Sequence, residues 1–305
     1  MDVKQLTYFV RIAELGSLTN AAATLGVTQP VLSRQVRRLE TELGKPLLYR
    51  HGHGVRLTDS GKRLLAHGKG ILHQVELARQ ELEGQHASPV GKVVVGLPPS
   101  LCRHVAVRLV ATFRKRYGQA SIGVVEGMTL AMQEWLALGR LDCALLHDPA
   151  PMAQLEYSQL WSEELCLVSP AVRGAKAPAS VCMKALSRYP LILPSRPNAM
   201  RTLIEMEAAA QGVTLDVALE IDAIVSVIDL VAGGYGHGIL SRIAVQSWAK
   251  SGALRVTPIV RPGITSRLYI GTSRQRPLTE LAQGTIELIR SDITPGVRRI
   301  IRARD

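Results

Sequence analysis

The sequence predicts three parts: an all-α N-terminal helix-turn-helix with a small wing, a long linker helix, and a C-terminal α/β domain of two lobes. Three observations predict this. A short alanine-rich helix is followed, across one glycine turn, by a polar and basic helix. An apolar stripe spaced four and three runs from Leu64 to Leu82. From Lys92 onward, buried-type strands alternate with helices, the pattern of a mostly parallel, doubly wound sheet.

Leu6, Phe9, Val10 and Ala13 form one helical face in the first segment. Gly16 ends that helix and Ser17 caps the next, Leu18 to Leu25. Ala21, Ala22 and Ala23 let a crossing helix approach closely, and Gly26 permits the reversal. Thr28 is placed to cap the third helix, and Pro30 sits in its first turn, where a missing N–H costs nothing. Val31, Leu32, Val36, Leu39 and Leu43 supply its inner face.

In a helix-turn-helix the N-terminal residues of the second helix meet base edges in the major groove. Here these are Thr28, Gln29, Pro30, Ser33 and Arg34. Gln pairs with adenine and Arg with guanine in a bidentate way. Arg37 and Arg38, further along, suit phosphate. A strand, a Gly-rich turn and a second strand follow over residues 47–57, a wing carrying Arg50, His51, His53 and Arg56. Two histidines with no acidic or cysteine partner nearby read as wing-tip residues, so no metal is expected.

The stretch QLTYFVRIAELGSLTNAAATLGVTQPVLSRQVRRLETELGKPLLYR, followed by GVRLTDSG, resembles the winged helix-turn-helix of the LysR-type transcriptional regulators. The Ser-x-Thr-x-Ala-Ala opening, Thr-Gln-Pro-x-Leu-Ser-Arg-Gln, Leu-Glu-x-Glu-Leu-Gly-x-Pro-Leu-Leu and Leu-Thr-x-x-Gly carry the likeness. Leu48 stands where the family's wing has an aromatic residue. The resemblance implies double-stranded promoter DNA, RNA polymerase and a second copy of the chain as partners, with dimers assembling into a homotetramer. It also implies a periplasmic-binding-protein-like effector domain. Motifs such as VAGGYGHGIL stand in the family's order, and the subgroup resembles nitrogen-assimilation and aromatic-catabolism regulators.

Thr58 caps a helix beginning Asp59-Ser60, with acid at the positive end of its dipole. Leu64, Ile71, Val75 and Leu82, with Gly68 and Ala78, read as a dimerisation seam. A helix over 59–83 is about 37 Å long, enough to space two recognition helices by about one DNA turn. GQHASPV, 84–90, reads as the hinge. The domains are therefore 1–58, 59–90 and 91–305.

In the regulatory domain, strands are expected at 92–97, 121–126, 141–146, 189–193 and 216–221. Helices are expected at 101–117, 129–138, 200–211 and 225–232. Ligands in such sheets bind beyond strand carboxyl ends, at helix N-termini. Ser100, Leu101, Thr129, His147, Asn198, Arg201 and Ser226 are the candidate effector contacts, suited to a small anionic carboxylate. GGYGHG does not open a helix in the dinucleotide pattern. The closing RRIIRARD reads as a solvated tail.

The chain has 305 residues and a formal net charge of +12, which favours anionic partners. The charge divides as +4 in residues 1–91 and +8 in the rest, so charge alone does not locate the DNA face. No leader-like start and no membrane-length apolar run are present, which reads as a cytoplasmic protein without a membrane partner. There is no GxSxG, HExxH or P-loop, so neither an enzyme nor a cofactor is expected. Two alternatives remain open. The four separated cysteines could serve a redox-sensing transcription factor, or the two-lobed domain a solute-binding protein or enzyme.

Overall fold

The computed structural model describes residues 1–51, 54–82, 89–171 and 178–302, with Arg50, Gln80, Glu81, Leu82, Ile300 and Arg302 described in their backbone alone. The chain divides into two compact units, one formed by the described residues up to Leu82 with Ala137–Arg140, and one by the remaining described residues.

The first unit begins with α1 (Val3–Leu15), α2 (Leu18–Leu25) and α3 (Gln29–Leu43). Asp2 and Gln5 cap α1 reciprocally, and Ser17 caps α2 through the Asn20 N–H. Gly26 adopts φ 64, which lets Val27 N–H reach back to the Ala22 carbonyl and turns the chain into α3. Phe9, Ile12, Ala21, Leu32, Val36 and Leu39 are fully buried between the three helices. Thr28 holds the cap position of α3, but its side chain makes no capping hydrogen bond. Val31 is only half buried and Leu43 is 40% exposed, so the inner face of α3 is narrower than its apolar residues suggest.

The wing is β1 (Leu48–His51) paired antiparallel with β2 (Gly54–Leu57). Glu40 Oε1, near the end of α3, accepts the N–H groups of Leu47 and Leu48 at 2.8 and 3.1 Å. Val55 N–H reaches the Gly16 carbonyl at 2.9 Å, tying the wing to the first helical turn. The linker helix α4 (Asp59–Leu82) starts as the sequence predicts. Thr58 Oγ1 accepts from Gly61 N–H and donates to the Pro46 carbonyl. The backbone of α4 passes so close there that a Cβ on Gly61 would lie 2.1 Å from the Leu47 carbonyl oxygen.

The second unit opens with β3 (Gly91–Leu97), α5 (Pro99–Arg116), β4 (Ala120–Glu126), α6 (Thr129–Ala137) and β5 (Cys143–His147). The strand β6 (Leu155–Pro170) then carries the chain into the other lobe. That lobe holds β7 (Val181–Cys182), a 3-10 turn (Met183–Arg188), β8 (Leu191–Leu193) and α7 (Ala199–Ala210). It continues with β9 (Val217–Glu220), α8 (Ile224–Ala232), β10 (His237–Ser241), α9 (Arg242–Lys250) and β11 (Leu254–Val260). Finally β12 (Thr265–Ser273) returns to the first lobe, which α10 (Glu280–Leu288), a π turn (Ile289–Ile293) and α11 (Thr294–Arg302) complete.

The sheet of the first lobe runs β4-β3-β5-β12-β6 and that of the second β6-β10-β8-β9, with β11 also beside β6. Within each lobe β3, β4 and β5, or β8, β9 and β10, are parallel. The long strands β6 and β12 run antiparallel to their neighbours. The strand–helix alternation of the sequence does not anticipate these two, so the sheets are mixed rather than mostly parallel. The C-terminal segment is no tail: Val297 is buried, Ile301 packs on the first lobe's core, and Arg298 donates to the Leu160 carbonyl. Gly233, Gly234 and Gly236 of GGYGHG form the turn between α8 and β10, with Gly234 at φ 81, and Gly238 lies within β10.

Candidate DNA interface and effector cleft

The outer face of α3 is set by its inner one. Leu32, Val36 and Leu39 fix the rotation of the helix against the core, and at about 100° per residue Arg34 then points away from it. Thr28, Gln29, Pro30, Arg34, Arg37 and Arg38 are exposed, and Ser33 is half buried at the edge of that face. On the wing Arg56 is exposed, and Tyr49, 55% exposed, sits beside His51 with ring centroids 6.4 Å apart. His53 lies outside the described residues, as does most of the expected hinge at 84–90. The face thus presents guanidinium groups and amide or hydroxyl groups on one rigid helix, the donor set that phosphates and base edges require.

The expected dimer seam is partly used within the chain. Leu64 is half buried against the helix-turn-helix core. A Cβ on Gly68 would lie 3.0 Å from Leu6 and 3.1 Å from Val10, so that glycine admits α1 of its own unit. Ile71 remains 40% exposed and Val75 half exposed.

In the second unit a cavity of about 90 Å³ lies between the lobes. Ser100 at the start of α5, Thr129 at the start of α6 and His147 at the end of β5 line it from one lobe; Asn198 and Ser241 line it from the other. Its walls are otherwise largely apolar, with Ile192, Ile221, Val227 and Ile239 among them. Three of the sequence candidates do not reach it. Leu101 is fully buried in the first lobe's core. Ser226 is exposed on α8 and does not line the cavity. Arg201 is 3% exposed, held by the Glu205 and Glu220 carboxylates and the Pro194 carbonyl, and does not line the cavity. Among the described residues the cavity lining contains no lysine or arginine.

The polar groups at the cavity are interlocked. Ser100 Oγ lies 3.1 Å from His147 Nε2, and His147 Nδ1 lies 3.2 Å from Ser266 Oγ. Ser266 Oγ donates to Asp148 Oδ2 at 2.7 Å, and Arg267 N–H donates to both oxygens of that carboxylate. Thr129 Oγ1 donates to the His147 carbonyl and accepts the His147 N–H, both at 3.2 Å. Burial pulls His147 down to about 4, so its ring is neutral. Glu163 is level with Ser266 across the β6–β12 pair and 3% exposed. Burial pushes its carboxyl up to about 7, against the pull of the neighbouring Ser241 hydroxyl and with added repulsion from Asp148. Neither of its two oxygens nor Ser241 Oγ makes a well-formed hydrogen bond. Neither Glu163 nor Ser241 stood out in the sequence: one is a charged residue within a strand of mixed polarity, the other a serine in a glycine-rich region.

The cysteines stay apart and unbridged. Burial raises the thiol pKa of Cys102, of Cys143 and of Cys166, the last to about 11, so these thiols are held protonated and poorly nucleophilic. Among the described residues no group of side chains could hold a metal ion, and no helix is long and apolar enough to cross a membrane.

Residues 3–62 match the family described as the bacterial regulatory helix-turn-helix protein, lysR family, and residues 86–293 match the LysR substrate binding domain. The chain belongs to the LysR family of transcriptional regulators. The nitrogen assimilation regulatory protein of Escherichia coli is 30% identical to this LysR-type regulator over 97% of both chains. Among solved structures, CbnR, a LysR family transcriptional regulator, superposes with a TM-score of 0.70 at 20% identity, covering 99% of this chain and all of that one. A full-length OxyR variant from Pseudomonas aeruginosa superposes with a TM-score of 0.71 at 24% identity, covering 95% of this chain and 98% of that one. These likenesses establish the fold: a helix-turn-helix unit followed by an α/β effector domain, as in other LysR-type regulators.

Proposed function

We propose that this LysR-type regulator reads an interrupted, dyad-symmetric site in double-stranded promoter DNA as a homodimer, paired further into a homotetramer, and that a small effector in the interlobe cavity controls it. The observation that carries the reading is the exposed donor face of α3, rigidly indexed by Leu32, Val36 and Leu39. Thr28, Gln29, Pro30, Ser33 and Arg34 are the base-reading end. Arg37, Arg38, Arg50 and Arg56 hold phosphate, and His53 sits with them in the wing by sequence. Ile71 and Val75 form the centre of the linker-helix dimer, with Leu82 by sequence, while Leu64 serves the unit's own core. Full-length CbnR has also been solved in complex with its target DNA, which supports the same use of this fold here.

Ser100, Thr129, His147 and Asn198 are the effector contacts. An effector closing on both lobes changes the DNA bend and the contact with RNA polymerase, and such a regulator acts in the cytoplasm without a catalytic role. The raised thiols of Cys102, Cys143 and Cys166 count against redox sensing. Genome-wide mapping of the full-length protein's binding sites tests the proposal. A shared inverted repeat beside promoters is the expected result; gel shifts without sequence preference would overturn it.

A further inference from the structure

We infer that the effector of this cavity presents a hydrogen-bond donor, an ammonium or similar N–H group on a small apolar body, and not a carboxylate. The inference rests on reading the cavity as the effector site and follows from counting hydrogens on its wall. The Asp148 carboxylate takes the single hydrogen of the Ser266 hydroxyl. Ser266 Oγ can then only accept from His147, so the ring hydrogen is on Nδ1. The neutral ring leaves Nε2 bare, and Nε2 takes the hydroxyl hydrogen of Ser100. Ser100 therefore offers the cavity lone pairs alone. Thr129 has likewise given its hydrogen to the His147 carbonyl.

The backbone adds little to attract an anion at α5. Pro99 has no N–H, and the N–H groups of Leu101 and Cys102 both turn back to the Pro98 carbonyl. Asp222 brings a carboxylate to the lining, which holds no lysine or arginine among the described residues. The Asn198 amide oxygen caps α7, and its NH2 group is turned toward Met128 Sδ, 3.8 Å away. The Ser100 and Thr129 hydroxyls and the Asp222 carboxylate thus meet a ligand as acceptors, and such a face in an apolar cavity selects a donor, because an acceptor placed there leaves buried lone pairs facing one another.

Three probes with one branched apolar body test this on the full-length protein near neutral pH: isoamylamine, isoamyl alcohol and isovalerate, followed by calorimetric titration and by thermal unfolding. The expected order is amine, then alcohol, then carboxylate, with the amine at least about tenfold tighter than isovalerate. Ser100→Ala should weaken the amine about tenfold and leave isovalerate unchanged. Ser266→Ala, which lies behind the histidine, frees the ring to carry its hydrogen on Nε2 and should narrow the amine preference; a merely structural serine would shift all three probes alike. The preference of the unaltered protein is decisive even where a variant folds poorly. Isovalerate binding tightest, and depending on Ser100, would overturn the donor inference while leaving the cavity as the effector site. No binding by any probe, or binding indifferent to Ser100→Ala, would overturn both.

Discussion

Two arginines one helical turn apart on α3 divide the work of recognition. Arg34 stands near the helix start, among the exposed Thr28, Gln29 and Pro30, where base edges are reached. Arg34→Ala should flatten base preference at one position of each half-site, by about 1–3 kcal/mol. Arg37→Ala should weaken binding to all sequences alike and reduce the slope of log affinity against log salt by about 0.9. Competition binding across salt concentrations separates the two; a uniform loss in both variants would reject the division. Two buried titratable residues make a second residue-scale pair with opposite signs. His147 titrates near 4 when folded against 6.5 ordinarily, so its contribution is complete above pH 6.5 and disappears as pH falls toward 4. Glu163 titrates near 7 against 4.5, so stability drains away as pH rises from 4.5 to 7. Each arm is on the order of 3 kcal/mol. Urea unfolding across pH should show Glu163→Gln flattening the alkaline arm and His147→Asn the acid arm.

At the scale of elements, the joint between wing and linker helix depends on one missing side chain. Gly61→Ala would drive a methyl group into the Leu47 carbonyl, and the first unit should lose roughly 1–3 kcal/mol, seen as a lower thermal midpoint. The close approach of Gly61 to Leu47 is not readable from the sequence, whereas the helix start at this joint is, because it is local, Thr58 with Asp59-Ser60 announcing a capped helix. The same holds for Ser17, Gly26 and Pro30. What escaped the sequence is held together over long distances. Arg201 looks like a ligand contact until Glu220 arrives from the neighbouring strand. Thr129, Ser100 and His147 were legible as strand–helix junctions, but Ser266, which orients them, comes from β12, 119 positions beyond His147. The strands β6 and β12 hid for another reason. Segments such as YSQLWSEEL lack a clean alternation, since β6 buries Glu163 on the same side as apolar neighbours.

The whole molecule is expected to work through symmetry. Ile71 and Val75 have no partner in their own unit's core cluster, and a charge there would be buried in a dimer. Ile71→Asp should raise the dimer dissociation constant roughly a hundredfold, or about 3 kcal/mol, in sedimentation equilibrium, while leaving the melting of the second unit unchanged. The strand β6 has a further consequence. Leu155 to Glu164 pair with β12 in one sheet, and Leu165 to Pro170 pair with β10 and β11 in the other. Neither lobe owns a complete sheet. A gene fragment ending before Leu155 would encode a lobe whose β5 lies at an open edge, and one beginning there would carry β6 and β12 with no β5 for β12 to pair against. The two lobes must therefore be translated, folded and degraded together, and recombination between related regulators can exchange the DNA-reading unit but cannot trade one lobe for another.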